Sequence, residues 1–95
     1  MFHVTWERTD SSEAGLKRAN ELFARWTPGP AKFQGFYGFA HGDGGVAIVE
    51  AASAADLAKT LAPWTPFLVF SVRPILPIQE AVAIEDEAAA WRESD

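Results

Sequence analysis

Ninety-five residues, 48% hydrophobic and 22% charged, suffice for one folded domain and exclude a disordered chain. The absence of cysteine excludes a disulfide framework, thiolate zinc sites and iron–sulfur clusters. The net charge of −5 is local: residues 1–79 carry seven bases and seven acids, and in the last sixteen residues six acids stand against Arg92 alone. A neutral body with an acidic end offers no electrostatic footing to nucleic acid or to an anionic membrane surface.

Residues 1–9 alternate, with Phe2, Val4 and Trp6 on one side and His3, Thr5, Glu7 and Thr9 on the other, which predicts a strand. Asp10-Ser11-Ser12-Glu13 reads as a helix start, with a capping oxygen and a carboxylate three residues on. Leu16, Ala19, Leu22, Phe23 and Trp26 recur at helical spacing until Thr27-Pro28-Gly29-Pro30 stops the helix, and Gly15 weakens its first turn. A second strand over 32–41 puts Phe33, Tyr37 and Phe39 on one side and Phe36 and Ala40 on the other. Gly42-Asp43-Gly44-Gly45 then makes a hairpin turn into a third strand over 46–50. Ser53 caps a second helix that buries Leu57, Ala58 and Leu61 and ends at Pro63. A fourth strand covers 67–72, and helical spacing resumes past Pro77. In that last helix Ile78, Ala81, Val82 and Ile84 predict firm packing over 78–84, with order decaying beyond Glu87 unless Trp91 finds a groove.

The order is β-α-β-β-α-β plus a C-terminal helix. The hairpin makes strands two and three antiparallel, and right-handed crossovers give sheet order 4-1-3-2, the ferredoxin-like α+β arrangement. One domain over residues 1–85 with an acidic helix end over 86–95 is expected. No apolar run approaches the roughly 20 residues that cross a bilayer, and the start lacks the basic and apolar regions of a signal peptide. The cytoplasm is the expected location. Two helices cover one face of a four-stranded sheet, yet strands two, three and four read as apolar on both sides. A second copy packed sheet to sheet about a two-fold axis is the expected cover, with the C-terminal helix folded back over that face as the alternative.

The opening Met1-Phe2-His3-Val4-Thr5-Trp6-Glu7-Arg8, the third strand ending in Glu50, the segment from Trp64 to Phe67 and the run Val72-Arg73-Pro74-Ile75-Leu76 resemble the short bacterial proteins of the DUF3303 type, within the dimeric α/β-barrel superfamily. That resemblance implies the fold and a homodimer. The superfamily includes cofactor-independent monooxygenases, haem-degrading enzymes, polyketide cyclases and muconolactone-isomerase-like enzymes, so it implies no single activity.

His3, Thr5 and Glu7 share one side of a central strand, with His3 and Glu7 about 13 Å apart at 3.3 Å per residue. His3 as general base, Glu7 orienting water or substrate, and Tyr37 polarising a carbonyl form the candidate catalytic set. The competing reading makes each a satisfied strand or core residue. Trp6, Trp26 and Trp64, with Thr5, are the candidate wall of a flat, hydrophobic ligand site; plain core is the alternative. His41 belongs to a hairpin tip, where a solvated histidine is ordinary. Two histidines and no cysteine predict no transition-metal site, and no cofactor is assigned, although haem held by one histidine stays open. Two functions remain: a small-molecule-binding barrel, acting if catalytic by proton transfer, cyclisation or cofactor-independent oxygenation on an aromatic or polyketide-like compound, and a non-enzymatic homodimerisation or scaffold domain.

Overall fold

The computed structural model describes residues 1–94. Alternation in the opening residues produces β1 (Phe2–Arg8), the centre of the antiparallel sheet. Ser12 caps α1 (Glu13–Arg25) by accepting the Gly15 backbone N–H at 3.1 Å. A Cβ at Gly15 would press on the Asp10 carboxylate, which would have to swing aside to admit it. β2 (Lys32–Gly38) and β3 (Gly44–Glu50) form the hairpin, α2 (Ala54–Leu61) runs on into a 3₁₀ turn (Ala62–Trp64), and β4 (Leu68–Pro74) leads to α3 (Ile78–Glu93). The sheet order is β2-β3-β1-β4, which is 4-1-3-2 read from the other edge, in the expected α+β arrangement.

Phe2, Val4, Trp6 and Arg8 face the helices together with Ala47, Val49 and Phe70. Val4, Ala31, Ala47, Val49 and Leu57 are the buried centre. Thr60 is buried in place of the expected Ala58, which is exposed. Its hydroxyl donates to the Pro28 carbonyl, tying the loop after α1 to α2.

The period-two reading of strand two fails at one residue. A bulge between Phe33 and Gly35 inserts Gln34, so Phe33 pairs with Val49 and Phe36 with Ala47 on the helix side, while Tyr37 pairs with Val46 on the other. Phe39 to His41 lie beyond the strand, in a turn where Gly42 adopts φ +88°. The helix-free face is therefore apolar along β2 and β3, at Tyr37, Val46 and Ile48, and mixed along β1 and β4, where exposed Val69 stands among His3, Thr5, Glu7, Ser71 and Arg73.

The last helix departs most from expectation. It stays helical to Glu93, beyond Glu87, and none of its residues is buried. Ile78 is 69% exposed and Trp91 78%, so the stretch 78–84 is not packed on the body. Its large apolar side chains do not share a stripe: Ile78 and Val82 lie on one side and Ile84 and Trp91 on nearly the opposite one, at 100° per residue. One flat surface cannot bury both. The arm stretches the molecule to 62 Å, with a radius of gyration of 17.5 Å, against about 12 Å for a compact chain of this length.

Candidate functional site

Between the helices and the sheet lies a cavity of about 370 Å³. Its floor depends on Gly45. Gly38, Gly45 and Trp6 form one row across β2, β3 and β1. A Cβ on Gly45 would collide with the Trp6 indole, so this row is where the ring can lie across the sheet. Trp6 meets Phe36 edge to face at 5.4 Å, and Phe36 lies 4.7 Å from Phe33.

The far wall comes from chain stops. Trp26 caps the C-terminus of α1 just before the Pro28-Gly29-Pro30 run, and Trp64 closes the 3₁₀ turn after α2. The two indoles pack edge to face at 5.6 Å, Trp26 meets Phe33 at 5.8 Å, and Phe23 bridges Trp64 and Phe36. The rings make a continuous aromatic wall, with Phe23 and Phe36 partly exposed at its rim. Besides the tryptophans, the lining residues with polar side chains are Arg8 and Asn20. Trp26 Nε1 is buried and has no hydrogen-bond partner among the described residues. A buried donor left unpaired costs about 1–3 kcal/mol.

Trp6, Trp26 and Trp64 thus meet in one cavity. His3, Thr5, Glu7 and Tyr37 lie on the opposite face of the sheet, and the register separates them from that cavity. There His3 stands between Ile48 and Arg73, Thr5 between Val46 and Ser71, and Tyr37 is 65% exposed. His41 meets Phe39 edge to face at 5.7 Å, and its Nδ1 accepts the Asp43 backbone N–H at 3.1 Å, a contact internal to the hairpin turn. Among the described residues no group of three or more His, Cys, Asp or Glu is placed to hold a metal ion. Likewise, no described helix is long and apolar enough to cross a membrane.

Sequence reasoning missed Arg8, Phe23 and Phe36 as cavity residues. Arg8 was within reach, because it continues the period of two through Phe2, Val4 and Trp6. Phe36 was not, because a bulge leaves no mark in residue spacing.

Comparison with curated proteins and with solved structures found no significant match. A family model does match, over residues 1–89, taking in the whole sheet, both cavity helices and most of α3. The chain belongs to the family described as Domain of unknown function (DUF3303).

Proposed function

We propose that the protein binds a flat, apolar small molecule in the cavity between its sheet and helices. The observation that carries this reading is the aromatic wall, with Trp6, Trp26 and Trp64 on it, around about 370 Å³. Protein interiors are close-packed, and a cavity of this size with a few polar groups among aromatics has the make-up of a ligand site. No lining residue is His, Asp, Glu, Tyr, Ser or Cys. The reading is therefore binding without an acid or base in the cavity. Titration with 2-naphthol, followed by tryptophan fluorescence, tests it. Saturable quenching with Kd at or below about 100 µM is expected, within the range for so small a ligand. Trp26→Phe should weaken it several-fold, and an unsaturated, linear response would overturn the reading.

A second reading, compatible with the first, is homodimerisation through the helix-free face. Tyr37, Val46 and Ile48 form a contiguous apolar half of that face, and α3 is not packed over it. Proton transfer or cyclisation led by His3, Tyr37 and Glu7 would need that face closed by such a partner. Light scattering should give twice 10.4 kDa. A monomer at micromolar concentration would exclude this second reading.

A further inference from the structure

Resting on the cavity reading, we infer that the ligand is an aromatic carboxylate and that Arg8 receives its acid group. Arg8 is the one charged side chain on the cavity wall, and no carboxylate lines it. The side-chain polar groups available there are donors, apart from the Asn20 amide oxygen. Half-buried Arg8 donates its Nε–H to the Gly42 carbonyl at 2.9 Å. That bond uses one edge of the guanidinium and leaves its terminal nitrogens without a carboxylate, since the ion pair among the described residues joins Arg18 to Glu21. The hairpin's acid, Asp43, is engaged by the Ser11 hydroxyl.

An arginine held at one edge beside an apolar cavity offers a planar fork matched to two carboxylate oxygens. Arg8 follows Trp6 by two residues on the same face of β1, about 7 Å along the strand. A ring against Trp6 and Phe36 therefore sets a directly attached or short-linked carboxylate at Arg8. A neutral arene would fill the same walls and leave the fork to water.

Isothermal titration of 2-naphthoate against 2-naphthamide separates the ideas. The carboxylate is expected to bind at least about tenfold more tightly, the scale of one charge-assisted hydrogen-bonded contact. Arg8→Met keeps the apolar stem and should abolish the preference while sparing amide binding. Arg8→Lys keeps the charge without the fork and should retain part of the preference, with circular dichroism confirming that both variants fold. Equal binding of acid and amide to the parent chain, or a preference that survives Arg8→Met, overturns the inference and leaves the cavity reading standing. Binding of neither probe removes both.

Discussion

Trp6 and Gly45 face one another across the β1–β3 ladder, and the indole occupies the space where any other residue at 45 would put its Cβ. A Cβ there would also meet the Tyr37 backbone carbonyl of β2, so Gly45→Ala should displace the ring and part the β2–β3 pairing locally. We expect a loss of about 1–3 kcal/mol in a denaturant melt, together with loss of 2-naphthol quenching. Retained stability and binding would show that the packing around Gly45 absorbs a methyl group and does not hold the ring in place. A second residue-level prediction concerns Asp10. Hydrogen bonds from the Ser12 side chain, and then from its backbone N–H, hold this exposed carboxyl below the ordinary carboxylate range. A carboxyl held low in the folded state adds stability above its unfolded pKa, and that contribution is lost as pH falls through the lowered value. An NMR titration should find Asp10 titrating below the ordinary range, and Ser12→Ala should move it upward.

Among the elements, α2 and the loop after α1 depend on one hydroxyl. Thr60 is buried and donates to the Pro28 carbonyl, which fixes the stop behind Trp26. Thr60→Val keeps the volume and removes the donor, so thermal melts should show a cost of about 1–2 kcal/mol. Elements of this kind were legible because they rest on local chemistry: Ser12 and Ser53 cap where a hydroxyl precedes apolar spacing, and Phe2, Val4 and Trp6 alternate without a break. Tyr37 and Phe36 were rightly separated from each other but assigned to the wrong faces relative to Phe33, since one inserted residue inverts everything beyond it. Trp26 and Trp64 were legible as aromatic anchors at chain stops, and Trp6 as a member of the alternating strand. The position of His3, Thr5 and Glu7 relative to the cavity was not, because it depends on which sheet face the crossovers cover.

At the scale of the molecule, the body and α3 are energetically separate. The buried centre draws only on residues before the arm, and no residue of α3 is buried. An apolar pattern in sequence says which side chains seek cover, but not whether the rest of the chain leaves a surface to provide it. Hence Ile78 and Val82 looked like packing residues. Truncation after Pro77 removes mostly exposed side chains and should cost the body less than about 1 kcal/mol. Thermal melts and 2-naphthol binding of the truncated chain check this, and failure to fold would show that the arm completes the core.

The bulge at Gln34 bears on how neighbouring molecules meet. β2 is an edge strand, with one side of its backbone unpaired and open to a strand from another chain. Gln34 bends that edge and is held by its amide, which donates to the Glu50 carboxylate at 2.7 Å. Deleting it would leave Phe33 and Phe36 on their present face, because the ladder on either side already matches β3 in step. The fold should survive, but with a straight and flush edge. Incubated at equal concentration, the deletion variant should form thioflavin-positive fibrils sooner than the parent, and equal rates would mean that something other than the bulge guards this edge.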